Sequence, residues 1–208
     1  MLTETIVAIF LLVCLGCFFS VNLPKTLKVR KHISRVKAYA EVERPSDFVV
    51  GVAAAGTFGY FLEVFLYLFL VFTSLNSVMW ELSFNFQFLF VSYLQLLGLV
   101  LTLAGYFIFI WSVVARSGYA VSWEMPETQR LVTWGPYRYV RHPSYLGYFL
   151  MFFGLFFLWP NLFALLPLVA IPGYFIITFK EEELLVRRFV DEYVEYKKKT
   201  GRFIPKFR

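Results

Sequence analysis

The chain has 208 residues, of which 59% are hydrophobic, 21% aromatic and only 16% charged. A soluble domain of this length is about half apolar and about a quarter charged, so the composition excludes an ordinary soluble protein and indicates a polytopic membrane protein. The net charge of +6 lies in three basic blocks between apolar stretches. That alternation indicates membrane topology and contact with anionic lipid head groups, and it argues against a nucleic-acid partner.

Three apolar stretches in the first half of the chain are long enough to cross about 30 Å of hydrocarbon. They are residues 6–23, 48–73 and 88–114. The first of them ends directly before Pro24. We predict one transmembrane helix for each.

The second half adds two shorter apolar stretches. Pro143 predicts the start of a fourth span, residues 144–159, because proline is tolerated in the first turn of a helix. Residues 162–179 return as a fifth span, in which Pro167 and Pro172 predict a kink.

A separate amphipathic helix is predicted over residues 180–199. Leu185, Phe189, Tyr193 and Tyr196 recur at helical spacing and form one apolar stripe. We therefore expect this helix to lie on the bundle or on the membrane surface.

Lysine and arginine residues set the predicted topology. Residues 24–47 hold seven of them, residues 115–142 hold four and residues 180–208 hold nine, which accounts for all twenty. By the positive-inside rule these three segments are cytoplasmic. We predict an all-α membrane protein with about five transmembrane helices, an outside N-terminus and a cytoplasmic C-terminal amphipathic helix.

The predicted second span has two unusual features. Gly51, Ala55 and Gly59 lie four residues apart, which predicts a face for close helix packing. Glu63 lies in the middle of the same span, where an acidic residue is either part of a functional site or a hydrogen-bonded carboxyl inside the bundle.

Residues 129–145 form the only long polar and aromatic interruption in the second half of the chain, and they contain Arg130, Arg138, Arg141 and His142. The chain has no Ser-His-Asp order, no H-E-x-x-H motif and no P-loop. With two histidines and no paired cysteines in polar segments, no metal site is expected.

Two segments together resemble the isoprenylcysteine carboxyl methyltransferase family. The first is L-V-T-x-G-x-Y-x-x-x-R-H-P-S-Y over residues 131–145. The second, after an apolar hairpin, is E-E-E-L-L-x-x-x-F-x-x-E-Y-x-x-Y-K-K over residues 181–198. Wider relatives, the phospholipid N-methyltransferases, share the R-H-P-x-Y and E-E patterns. The resemblance covers the catalytic half, about 115–208, and implies a single integral membrane methyltransferase domain over residues 1–208.

The resemblance also implies a cofactor, S-adenosylmethionine, with S-adenosylhomocysteine as product and a lipid-bearing substrate that enters from the bilayer. The active site is expected at the cytoplasmic face, in the endoplasmic reticulum of a eukaryote or the cell membrane of a prokaryote. By motif position the cofactor contacts fall on Gln129, Arg130, Leu131, Val132, Tyr137, His142, Pro143, Ser144, Tyr145 and Glu181.

The chain departs from the family pattern at the substrate. Ile177 stands where the carboxyl methyltransferases have an arginine for the substrate carboxylate, and Gln129 stands where the family has histidine. Arg138 or Arg141 is the candidate replacement for that arginine. The alternatives are N-methylation of a phospholipid amine, with Glu63 or a second acid of residues 181–183 as a candidate base, and a non-catalytic lipid-binding or scaffold protein of the same fold.

Overall fold

The computed structural model describes residues 2–33, 45–75, 77–78, 85–86, 89–116 and 129–206, and leaves out the side chains of residues 26 and 28–33. Within these residues the fold is all-helical, and the predicted fold class is confirmed. The described α-helices are α1 (Glu4–Ile33), α2 (Asp47–Phe72), α3 (Val91–Arg116), α4 (Pro143–Leu158) and α5 (Ala170–Lys199).

Four described segments are long and apolar enough to cross a membrane: Glu4–Lys25, Asp47–Phe72, Val91–Arg116 and Phe163–Lys199. Helix α4 is apolar but has only 16 residues, about 24 Å at 1.5 Å per residue. It is therefore a short helix beside four full-length ones.

The five helices alternate in direction. At one end of the bundle Gln95 of α3 accepts a hydrogen bond from the N–H of Leu2 and donates one to the carbonyl of Leu158. At the other end Lys25 of α1 donates to the carbonyl of Val114 of α3. This second end, which also carries the loop 129–142, is called the polar end below.

Two predicted boundaries were wrong. Helix α1 was expected to end at Pro24, but it continues to Ile33. A proline removes one backbone hydrogen bond, and a transmembrane helix absorbs that loss when its neighbours support it.

The amphipathic residues 180–199 were expected to form a helix of their own, but they continue the last span as the single 30-residue helix α5. No glycine or proline lies between Gly173 and Lys199 to stop the helix. The backbone departs from helical geometry only at Val190 (φ 43°, ψ −116°). The predicted irregularity at Pro167 is present as two short 3₁₀ turns, Phe163–Leu165 and Pro167–Val169, before α5.

Glycines bring α3 and α4 into close contact. A Cβ atom at Gly105 would lie 2.7 Å from the carbonyl oxygen of Gly147, and one at Gly98 would lie 2.8 Å from that of Gly154. Because these neighbours are backbone atoms, they cannot move aside. The start of α4 is thereby fixed against the last turns of α3.

The predicted packing face on α2 is not the one that packs within the chain. A Cβ atom at Gly51 or Gly59 would have no neighbour within 4 Å, whereas at Gly56 a Cβ would lie 2.6 Å from the Cβ of Ala170 in α5. The face that packs is rotated by one position from the expected one, since Gly56 and Tyr60 are buried and Gly51 is exposed. Small residues at a four-residue spacing show that a helix can pack closely, but not which face does.

We expect Gly105→Ala to destabilise the protein by about 1–3 kcal/mol, because the added methyl forces α3 and α4 apart. Gly59→Ala is the matched control, since it makes the same change where space is open. Unfolding in detergent, titrated with a denaturing detergent, measures both. Equal stability of the two variants would contradict the close contact.

Candidate functional site

The loop that precedes α4 is anchored on the end of α3. The indole N–H of Trp134 donates to the carbonyl of Ala115 over 2.9 Å. Gly135 has a φ of +62°, and a Cβ there would lie 2.7 Å from the Cβ of Ala115. Both the backbone conformation and the close approach require glycine. The 3₁₀ turn Gly135–Arg138 follows and positions Tyr137.

The Arg141-His142 pair is held by the C-terminal segment 200–203. The backbone N–H of Arg141 donates to the carbonyl of Gly201, and that of His142 donates to the carbonyl of Arg202, over 2.9 and 3.1 Å. Proline at 143 then begins α4 directly after His142. The histidine therefore lies at the junction of the loop, α4 and the C-terminal segment.

Glu182 is the centre of a buried charge cluster. Its carboxylate is 2% exposed and accepts hydrogen bonds from Arg141 and Arg202, each over 2.9 Å to Oε1. Lys197 lies 3.2 Å from the other oxygen. Because buried charges are costly unless paired, this cluster ties α5 to the loop and to the C-terminal segment.

Glu181, one residue earlier, faces different partners. Its Oε1 accepts a hydrogen bond from the hydroxyl of Tyr145 over 2.8 Å, and its Oε2 lies 3.5 Å from Nδ1 of His142. The rings of His142 and Tyr145 are stacked with their centroids 5.8 Å apart. His142, Tyr145 and Glu181 thus form one polar group between α4 and α5.

The carboxylates of Glu181 and Glu182 control the charge of His142. Burial lowers the pKa of the imidazole, but hydrogen bonding and charge from the two carboxylates outweigh it and raise the pKa above its ordinary value. His142 is therefore more readily protonated than a free histidine.

This raised pKa predicts that part of the stability is lost as the pH rises. The pKa of His142 is higher in the folded state than in the unfolded state. Its contribution to the free energy of unfolding is therefore complete below about pH 6.5 and disappears as the pH rises past the folded-state pKa. We expect the difference in melting temperature between the unmodified protein and His142→Gln to shrink from about pH 6 to about pH 9. His32→Gln, at the chain's other histidine, is the control. A difference independent of pH would contradict the assignment.

An outer cavity opens between the loop and α5. On the loop side it is lined by residues 129–132, Tyr137 and His142, and on the α5 side by Glu181, Leu185, Phe189, Tyr193 and Tyr196. The volume of this cavity is about 40 Å³. The interior of the cavity is therefore narrow.

Two phenol hydroxyls in the outer cavity lack partners. The hydroxyls of Tyr137 and Tyr193 are buried and make no hydrogen bond within the described part of the chain. Tyr193 is 0% exposed and Tyr137 5%. By contrast, the hydroxyl of Tyr196 donates to the carbonyl of Tyr137 over 2.6 Å. Buried hydroxyls usually have partners, so two unsatisfied ones in one cavity indicate that a polar ligand completes it.

A smaller inner cavity adjoins the outer one. The two share Tyr137, Arg141, His142 and Glu181. The inner cavity adds Arg116, Ser144 and Tyr145, which belong to the end of α3 and the start of α4, and its volume is about 40 Å³. The shared residues therefore lie between the outer cavity, which faces α5, and the inner cavity, which faces the helix bundle.

The structure brings most of the predicted cofactor residues together. Residues 129–132, Tyr137, His142 and Glu181 line the outer cavity, while Ser144 and Tyr145 line the inner one. Pro143 is buried at the start of α4 and lines neither of these cavities.

The predicted catalytic residues are not brought together. Glu63 accepts a hydrogen bond from Asn161 over 2.9 Å, at the end of α4 opposite to His142. Arg138 is exposed and lines a surface groove with Glu192 and Lys199. Only Arg141 reaches the cavities, and its guanidinium is already bonded to Glu182.

Sequence reasoning missed part of the site. The apolar stripe Leu185, Phe189, Tyr193 and Tyr196 was assigned to the bundle or the membrane surface, yet it lines the outer cavity. Its periodicity indicated a buried face but did not identify what it faces. Arg116, at the last residue of α3, was counted only as a topology signal.

The structure is a helix bundle with four candidate membrane spans and, at its polar end, a narrow cavity. The sequence of residues 93–192 matches the phospholipid methyltransferase family. The matched segment runs from the first turn of α3 to just past the break at Val190.

This family includes the isoprenylcysteine carboxyl methyltransferases, and the resemblance predicted from the sequence is confirmed. The match supports a membrane methyltransferase that acts on lipid or lipid-anchored substrates. No curated protein matches the chain significantly.

Proposed function

We propose that the protein methylates the carboxylate of a lipid-anchored acceptor, the C-terminal carboxylate of an isoprenylcysteine or a similar group, with S-adenosylmethionine as methyl donor. The observation that carries the proposal is the outer cavity, in which two unsatisfied buried hydroxyls lie beside Glu181 and His142. The active site is proposed to face the cytoplasm, in the endoplasmic reticulum or cell membrane.

The residues present fit this cofactor. Its ribose and amino group are hydrogen-bond donors that suit the Glu181 carboxylate, and its carboxylate suits a protonated His142. Leu131 and Val132 offer buried apolar surface for the adenine ring. The faces of Tyr137 and Tyr193 suit a sulfonium cation. When bound, the cofactor would supply the methyl group carried by its positively charged sulfur. The rest of the cofactor would leave as a neutral thioether.

The chain's own contribution is alignment and exclusion of water. Tyr145 and His142 hold the Glu181 carboxylate from two sides, so its orientation is set before a ligand binds. The Glu182 cluster fixes the backbone that carries His142. A carboxylate acceptor needs no base, because no proton is lost when its oxygen forms the new bond to carbon. Positioning in a narrow cavity therefore provides most of the rate.

N-methylation of a phospholipid amine is the second candidate, and Ile177 favours it. Ile177 is buried in the apolar core, at the position where the carboxyl methyltransferases carry an arginine. An amine acceptor must lose a proton, and Glu63 does not reach the cavities because it bonds Asn161. Glu181 is the one carboxylate, among the residues described, that lines both cavities.

The two candidates separate in one assay. Purified protein in lipid vesicles is given S-adenosylmethionine labelled in the methyl group, with either N-acetyl-S-farnesylcysteine or phosphatidylethanolamine. A methyl ester releases labelled methanol in mild alkali, whereas an N-methyl group does not. We expect label in the farnesylcysteine fraction, released by alkali. Alkali-stable label in the phospholipid would show that the protein is an N-methyltransferase. Absence of label in both acceptors would contradict both candidate activities.

A further inference from the structure

Arg116 is a cation that lines the inner cavity from the end of α3. It is half-buried at the last residue of α3, and within the described part of the chain no hydrogen bond or ion pair to its side chain is found. The other guanidinium that lines this cavity, Arg141, is bonded to Glu182 and to the carbonyl of Thr200. A partly buried, unpaired charge is costly, so a counter-ion at Arg116 would be stabilising.

The groups around Arg116 favour an anion. Among the charged side chains that line the inner cavity, Arg141 is paired with Glu182, and His142 lies 3.5 Å from Glu181, which leaves Arg116 as the cation with no ion pair within the described part of the chain. Glu181 is itself engaged by Tyr145 and His142. No acidic side chain among the described residues of this cavity is left to neutralise Arg116.

The location suits the head of a lipid-anchored molecule. Arg116 is the last residue of the candidate span Val91–Arg116, and a basic residue at the end of a span lies at the level of the lipid head groups. The inner cavity reaches from there to His142 and Glu181, where it meets the outer cavity. A chain anchored in the bilayer would therefore present its polar end to Arg116.

We propose that Arg116 binds the carboxylate of the methyl acceptor in the inner cavity, as the substrate arginine that the sequence lacks at Ile177. The proposal rests on the carboxyl methylation proposed above. It assigns the outer cavity to the cofactor and the inner cavity to the acceptor, with the reacting atoms between them beside the shared residues. Arg138 lines a separate surface groove and Arg141 is already bonded to Glu182, so neither is assigned this role.

The test measures binding, so it does not depend on turnover. Detergent-purified protein is titrated with N-acetyl-S-farnesylcysteine and with its carboxamide, which has the same shape without the charge. We expect the unmodified protein to prefer the acid by about tenfold, equivalent to about 1.4 kcal/mol. Arg116→Gln should abolish the preference, and Arg116→Lys should restore part of it. Arg138→Gln, with the same change of charge on the exposed surface, should keep it.

The outcomes separate the two proposals. Unchanged S-adenosylmethionine affinity in Arg116→Gln shows that the fold and the outer cavity are intact. If the unmodified protein forms the labelled ester and Arg116→Gln still prefers the acid, the role of Arg116 is wrong and carboxyl methylation stands. If the unmodified protein binds acid and carboxamide equally, the role of Arg116 is also wrong. If it neither binds the acid nor forms the ester, both proposals fail.

Discussion

Glu182→Gln is expected to lower the free energy of unfolding by about 3 kcal/mol, the low end of the cost of breaking a buried ion pair. The change removes the charge that Arg141 and Arg202 share and leaves Arg141 buried without a counter-ion. The value is at the low end because Lys197 and Arg202 reach solvent. Denaturing-detergent titration of the purified protein measures the loss.

Glu183→Gln provides the matched control for this prediction. Glu183 is the next residue of the same acidic triplet, but it is partly exposed, and its ion pairs within the described residues are with Lys180 and Arg187 on its own helix. Exposed pairs of this kind contribute about 0.2–1 kcal/mol. Similar losses for Glu182→Gln and Glu183→Gln would show that the buried cluster does not hold the C-terminal segment in place.

Glu181→Gln is expected to weaken S-adenosylmethionine binding by about 10-fold to 100-fold with a much smaller effect on stability. A hydrogen bond to a charged group contributes about 1.5–3 kcal/mol, and the substitution keeps the shape of the side chain while removing its charge. Glu181 lines both cavities, so its loss acts on the bound ligand directly. Calorimetric titration of detergent-purified protein measures the affinity.

The same acidic triplet supplies the controls. Glu183→Gln should leave the affinity unchanged, because Glu183 lines neither of the two cavities. Glu182→Gln should reduce the amount of folded protein before it reduces affinity per folded molecule. An unchanged affinity in Glu181→Gln would remove this residue from the cofactor site.

The helices and the polar loop could be predicted because their signals are local. Apolar length predicts a span, and Pro143 marks where α4 begins. What local signals cannot show is which helix faces which. The small residues at Gly51 and Gly59 suggested one packing face, but the contact with α5 uses Gly56 instead.

The same reasoning explains which parts of the site were found. His142 and Glu181 carry the family motif, and the structure places them 3.5 Å apart. The stripe that includes Tyr193 was recognised as apolar, yet its role depends on the loop that folds over it, since Tyr196 contacts Tyr137, which lies 59 residues earlier in the chain. The structural role of Glu182, which ties α5 to the loop and to the C-terminal segment, also depends on long-range contacts, to Arg141 and to Arg202.

Cofactor binding is the central claim, and one titration tests it most directly. Detergent-purified, unmodified protein is titrated with S-adenosylmethionine and, separately, with S-adenosylhomocysteine, and the change in the environment of Tyr137 and Tyr193 is followed by intrinsic fluorescence or calorimetry. The account predicts saturable binding of both, in competition for one site, with micromolar affinity of about −8 kcal/mol. Absence of binding by the unmodified protein would contradict it, and the scaffold interpretation would then replace the enzyme.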